Sequence, residues 1–213
     1  MPDLPPPEEV LEVLEKVYPE ARIALDFGNP LELLVATILS AQCTDVRVNQ
    51  VTPELFRRYP DAQAYATADF QELVEVIRSI GFYRAKAKSL IGMGKTLLEE
   101  HGGQVPATME ALTRLPGVGR KTANVVLGNA FGVPGMVVDT HVRRVSYRLG
   151  WTAQNDPVKI EQELCQLLPR GKWTHASHLL IFHGRQICKA PTPRCSLCPV
   201  LSLCPRMGVK KSS

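Results

Sequence analysis

Apolar residues recur along this chain at spacings of three and four. Leu31, Leu34, Val35, Ile38 and Leu39 form one stripe, and Leu73, Val74, Ile77 and Ile80 form a second. Ala123, Val126, Leu127 and Ala130 form a third, directly after a glycine turn, and Leu179, Leu180 and His183 mark another. Leu164, Leu167 and Leu168 follow Asp156-Pro157, which reads as an N-cap with proline at the first helical position. Each spacing is that of one buried helix face. Only the short stretch 136–139, MVVD, reads as a candidate strand. Helices of this length joined by short Pro/Gly turns predict an all-α protein. No internal repeat is visible, and residues 210–213 are expected to form a disordered tail.

The 213 residues suffice for one large domain or two small ones. The opening MPDLPPPEEV is acidic and proline-rich and lacks the apolar centre of a secretory signal. The longest apolar stretch, 31–41, contains Glu32 and falls far short of the roughly 20 residues that span a bilayer. A soluble, cytoplasmic protein with no membrane partner is therefore expected. The net charge of +4 is unevenly spread. Residues 1–80 hold 6 Lys/Arg against 14 Asp/Glu, residues 81–150 hold 10 against 4, and residues 151–213 hold 9 against 3. A basic second half fits a polyanion-binding face, and chance clustering on a solvated surface explains the charge equally well.

The stretch LPGVGRKTA, 115–123, places a glycine turn at the start of a helix. Backbone N–H groups at such a start point outward at the positive end of the helix dipole, an arrangement suited to a phosphate. At roughly 100° per residue, the stripe Ala123, Val126, Leu127 and Ala130 centres about 190° from Lys121. Lys121 therefore points away from the core, on the side of Val125 and Gly128. Taken alone, such a lysine reads as a solvated or phosphate-pairing cation.

Four of the six cysteines, Cys188, Cys195, Cys198 and Cys204, follow the spacing C-x6-C-x2-C-x5-C. The missing signal argues against disulfides. Structural zinc sites usually pair two C-x2-C knuckles, and only one is present here. A compact loop of four cysteines among Pro191, Pro193, Pro199 and Pro205 fits a single iron–sulfur cluster better, with zinc the alternative. Cys43 and Cys165 read as small buried hydrophobes, and His175, His178 and His183 as structural, since none has an acidic partner at ligand spacing.

Together the cysteine loop and the glycine turn resemble the endonuclease III family of the helix-hairpin-helix superfamily, DNA glycosylases that are also AP lyases. The resemblance runs over roughly residues 20–205 and rests on LSAQCTD (39–45), IGFYRAKA (80–87), LPGVGRKTANVVL (115–127), VDTHVRRV (138–145), HGRQIC (183–188) and the four cysteines, in that order. It implies two helical domains flanking a DNA-binding groove: residues 23–134, a six-helix domain with the hairpin, and residues 1–22 with 135–213, the iron–sulfur domain. It implies a [4Fe-4S] cluster on the four cysteines. The implied substrate is double-stranded DNA carrying oxidised or saturated pyrimidines or abasic sites, bound by a monomer of prokaryotic, nucleoid-associated type.

The resemblance also distributes roles. Lys121 stands where the family has its catalytic lysine, which attacks C1′ of the sugar, and Asp139 where it has the assisting carboxylate. Extruding a base from the stack costs a few kcal/mol, and the family fills the gap with residues matching Gln42 and Phe82. Phe82 is followed by Arg84, Lys86 and Lys88, so a stacking wedge beside phosphate-side cations is expected. Leu115, Gly117, Val118, Gly119 and Arg120 in the hairpin, and Thr140, His141, Arg143 and Arg144 after Asp139, are expected at the sugar-phosphate backbone. Cys43, Phe82, Pro191-Thr192 and Gly128-Asn129 depart from the commonest family pattern. Two other readings remain open from sequence: a monofunctional glycosylase of the same fold, or an iron–sulfur DNA-binding protein without catalysis.

Overall fold

The computed structural model describes residues 5–213. It contains eleven α-helices and no strand among those residues. The chain divides into two compact units, one of residues 24–133 and the other of residues up to Ile23 together with Pro134–Ser213.

The contiguous unit holds α2 (Pro30–Ser40), α3 (Asp45–Arg58), α4 (Ala62–Ala66), α5 (Phe70–Ile77), α6 (Tyr83–His101), α7 (Met109–Arg114) and α8 (Arg120–Ala130). α2 is buried on all sides from Leu33 to Leu39, and α3, α6 and α8 pack around it. In α6 the inward residues Lys86, Leu90, Met93 and Leu97 follow a helical stripe, with Gly94 beside them. A Cβ on Gly94 would sit 2.6 Å from the Ala66 nitrogen and 2.9 Å from the Ala62 oxygen, so α4 lies directly on bare α6 backbone.

The second unit holds α1 (Pro7–Val17), α9 (Thr140–Arg148), α10 (Pro157–Leu167) and α11 (Trp173–Gln186). Val10, Leu11 and Leu14 of α1 join Val142, Val145, Ile160, Leu164, Leu179 and Leu180 in one core. The candidate strand 136–139 pairs with no other strand. Instead the Gly135 and Val137 N–H groups donate to the hydroxyls of Thr174 and Ser177 on α11, at 3.2 and 2.9 Å. Helix hydroxyls take the place a neighbouring strand would fill. The expected disordered tail is also docked. Ser213 donates to the Pro193 carbonyl and accepts from the Ser196 N–H, each at 3.0 Å.

Seven helices begin on an Asn, Asp or Thr whose side chain accepts a backbone N–H: α2, α3, α4, α5, α7, α9 and α10. Such caps contribute about 1 kcal/mol each. α6 and α8 begin instead on Phe82 and Gly119, with no side-chain cap.

Gly94→Val would force a branched side chain into the α4 backbone. Stability should fall by about 1–3 kcal/mol or more, read as a lower urea midpoint with an unchanged unfolding slope.

Candidate functional site

The hairpin is α7, the turn 115–119 and α8. Leu115 and Val118 turn their side chains into the core, 2% and 7% exposed, so what they offer a ligand is backbone. Gly117 adopts φ 81°, and a Cβ there would lie 2.7 Å from the Ser89 Cβ. Only glycine fits both demands. Within the turn, the Val118 N–H is spent on the Leu115 carbonyl at 3.1 Å. Among the described residues, the N–H groups of Gly117 and Gly119 meet no acceptor. Around Gly119 the space where a side chain would stand is open. An uncapped helix start with outward N–H groups results, the arrangement that binds phosphate.

Arg120 and Lys121, the first two residues of α8, are exposed. Lys121 makes no ion pair or side-chain hydrogen bond among the described residues. On the opposite side of α8, Ala123, Val126 and Leu127 are buried, as the stripe predicts.

Gln42 and Phe82 both adopt the left-handed conformation, with φ 53° and 57°. That conformation costs a non-glycine residue roughly 1–2 kcal/mol. Both side chains are exposed, Phe82 by 66%, so the aromatic does not continue the Leu73–Ile80 stripe into the core. Arg84 is exposed and lies over the Tyr83 ring, 5.9 Å from its centre. Lys86 departs from expectation. It is not a phosphate-side cation but is 6% exposed, donating to the carbonyls of Leu39 and Ala41 at 2.8 and 2.6 Å.

In the second unit, Asp139 is the N-cap of α9. Its Oδ1 accepts the His141 and Val142 N–H groups at 2.8 Å each, and its Oδ2 has no partner among the described residues. Thr140 and Arg143 are exposed, and Arg143 donates to the Asn155 Oδ1 at 2.9 Å. His141 is half-buried against Gly184 of α11. Arg144, expected at the sugar-phosphate, turns the other way. Its guanidinium donates to the Cys188 carbonyl at 2.9 Å and the Gly184 carbonyl at 2.8 Å.

Cys188, Cys195, Cys198 and Cys204 line one hollow together with Arg148, His183, Val200 and Val209. All four thiols are free and half-buried. Arg148 clamps the approach, donating to the carbonyls of Cys188, Lys189 and Pro191 and to the Cys188 sulfur at 3.4 Å. The His183 Nε2 lies 3.6 Å from the Cys198 sulfur, and its Nδ1 lies 3.2 Å from the Tyr18 hydroxyl. Burial lowers the His183 pKa to about 4, leaving the ring neutral. Burial and the neighbouring sulfurs push Cys198 up to about 11. Burial pushes the Cys204 thiol up as well, so these two thiols resist ionising unless cations join them. Among the described residues no three His, Cys, Asp or Glu side chains close on a single metal ion. The four sulfurs share one hollow, a donor set of the kind that holds a metal centre.

Residues 35–170 match the pattern of the HhH-GPD superfamily base excision DNA repair proteins. Endonuclease III of Synechocystis is 54% identical over 198 residues, covering 92% of this chain and 90% of the relative. The chain belongs to the endonuclease III family. Endonuclease III of Bacillus subtilis is 48% identical over 205 residues, covering 96% and 93%. A solved endonuclease III, trapped as a covalent intermediate with DNA, superposes with a TM-score of 0.89 at 44% identity, covering 93% of this chain and 94% of that one. This endonuclease III family member is a base excision repair DNA glycosylase with AP lyase activity, and its partner is DNA. No helix among the described residues is long and apolar enough to cross a membrane.

Sequence reasoning missed Lys86, Arg144, Arg148 and the contact of His183 with Cys198. Lys86 carried a readable signal, because it falls in register with Leu90, Met93 and Leu97 on the inward face of α6. The arginine clamps carried none, since loop carbonyls leave no mark in a sequence.

Arg148→Met should strip the cysteine loop of its main donor and lower stability by about 2–3 kcal/mol. Limited proteolysis should then cut between 188 and 195 faster than in the parent. An unchanged cleavage rate would show the clamp to be idle.

Proposed function

We propose that Lys121 is the nucleophile of a combined glycosylase and lyase reaction on damaged pyrimidines in duplex DNA. The observation that carries this reading is an exposed lysine without a partner, on the first turn of the uncapped helix that follows a phosphate-binding turn. The solved relative trapped in a covalent intermediate with DNA supports it, because such an intermediate needs a nucleophile.

The lysine amine attacks C1′ as a free base, and the C1′–base bond breaks as the pyrimidine leaves with a proton. The C1′–N bond that remains belongs to an aminal. Its C1′–O4′ bond then breaks as a proton passes to O4′, and the opened sugar carries a Schiff base, which makes the C2′ hydrogen acidic. Loss of that proton breaks the C3′–O bond by β-elimination, and water then releases the lysine. In this reading Asp139 supplies the carboxylate that takes the amine proton and stabilises the positive charge on the sugar as the base departs. Its Oδ2 is the atom left for that work, since Oδ1 is committed to the helix cap.

Gln42 and Phe82 enter the duplex in place of the extruded nucleotide, while Gly117, Gly119, Arg120, Thr140 and Arg143 hold the backbone. Oxidised and saturated pyrimidines are the proposed lesions, because they stack and pair poorly and are cheapest to extrude. Cys188, Cys195, Cys198 and Cys204 hold a [4Fe-4S] cluster. When bound, that cluster supplies iron–thiolate bonds that fix the basic loop carrying Lys189 and Arg194.

Borohydride reduction on a duplex containing thymine glycol should trap the parent protein on DNA and leave Lys121→Gln untrapped. If the variant traps as well as the parent, the nucleophile is another residue.

Asp139 separates two duties of one side chain. Asp139→Asn keeps a capping oxygen and should unfold within about 0.5 kcal/mol of the parent, whereas Asp139→Ala should lose about 1 kcal/mol. Base release should drop by about a hundredfold or more in both. A fast Asn variant would remove the carboxylate from the reaction.

A further inference from the structure

Two exposed residues in a conformation that side chains resist lie next to each other, and one buried cation joins them. The Lys86 ammonium is held by the last carbonyls of α2, those of Leu39 and Ala41, at 2.8 and 2.6 Å. These are groups that a helix C-terminus leaves without intrahelical partners, at the negative end of its dipole. The backbone N–H of the same residue donates to the Phe82 carbonyl at 3.1 Å, closing the first turn of α6. Gln42 therefore follows a carbonyl gripped by the Lys86 side chain, and Phe82 carries a carbonyl gripped by the Lys86 backbone. On its far side Gln42 is fixed by the Cys43 N–H, which donates to the Ser40 carbonyl at 3.1 Å. The two segments touch: a Cβ on Gly81 would lie 3.4 Å from the Gln42 oxygen.

A buried amine is an expensive choice for a mere packing position. It is 6% exposed, and burial lowers its pKa. Leucine or methionine would fill the same inward stripe of α6 without desolvating a charge. What an ammonium offers and an apolar residue does not is several donors on one atom, directed at two carbonyls of another helix. That ties the end of α2 to the start of α6.

We infer that Lys86 is a positioning residue for base extrusion, holding Gln42 and Phe82 in their left-handed conformations so that both side chains stand ready before DNA arrives. It touches neither substrate nor reacting atoms. Its effect is on the geometry of the two residues that fill the opened stack, where small displacements are expensive in rate. The inference rests on the proposed insertion of Gln42 and Phe82.

The test compares two duplex substrates under single turnover, one with a thymine glycol and one with a preformed abasic site, which has no base to extrude. Lys86→Met keeps the aliphatic stem and removes the ammonium. It should slow reaction at thymine glycol by about tenfold or more, and strand cleavage at the abasic site by no more than about threefold. Lys86→Arg, which keeps a charged donor, should recover most of the lost rate at thymine glycol. Equal slowing on both substrates, as a general loss of folded protein would give, overturns the inference, and so does no slowing on either. Should Lys86→Met fail to fold, Lys86→Gln, neutral and shorter in reach, is judged by the same pair of rates. Gln42→Ala and Phe82→Ala are measured alongside. If they leave the thymine glycol rate intact, the insertion reading itself has failed. If they slow it and Lys86→Met does not, Lys86 alone has been misassigned.

Discussion

A helix without a polar face has to be surrounded, and α2 is such a helix. From Leu33 to Leu39 none of its side chains reaches solvent, and α3, α6 and α8 are gathered around it. Burying an apolar side chain of this size contributes roughly 1.5–3 kcal/mol, so moving any of these neighbours uncovers several such residues at once. The functional parts of this unit are consequences of that constraint. The C-terminal end of α2 delivers Gln42, α6 opens with Phe82, and α8 opens with Arg120 and Lys121. Each side chain proposed here as nucleophile or wedge stands at the end of a helix whose axis the core has already determined.

The starts of the helices show a second regularity. A polar side chain closes the start of seven of them, whereas α1, α6, α8 and α11 begin bare. An aspartate in place of Gly119 would satisfy the free N–H groups of the turn, but it would set a negative charge where the proposed function needs a phosphate. Under that proposal some local stability is left unused there for binding to draw on. Asp139 is the counter-example: one of its oxygens caps α9, and the other is the one proposed for the chemistry.

Much of this architecture was legible in the chain. The periodic stripes mark α2, α5, α8, α10 and α11, because a helix that buries one face must repeat near 3.6 residues. The glycine turn was legible because Pro116, Gly117 and Gly119 break the chain directly before the α8 stripe, while the hairpin itself came from the family resemblance. The fate of polar groups that pack inward was harder to read. Lys86 stands between Arg84 and Lys88, and charge alone placed all three at the surface, while register with Leu90 and Met93 placed one of them inside. Arg144 and Arg148 on α9 also turn inward, but their partners are carbonyls of α11 and the cysteine loop, forty or more positions ahead, and leave no local signal. Residues 136–139 read as a strand from their pattern, yet the Val137 N–H goes to Ser177, as that of the preceding Gly135 goes to Thr174, partners that short-range pattern does not reveal. The docking of Ser213 on Pro193 and Ser196 is of the same kind: a backbone pairing written in no side chain.

Synthesis runs from one end of a chain to the other, and the unit assembled from both ends has to wait for it. Residues 24–133 are contiguous and hold a core that needs no segment from elsewhere in the chain. α1 is made before them, yet Val10, Leu11 and Leu14 close against α11 and its neighbours, among the last segments produced. Until then its apolar face has no partner and remains a hazard for association with other chains. A helix made before the contiguous unit thus finds its partners only in segments made after it, and its apolar face waits longer for cover than any within residues 24–133.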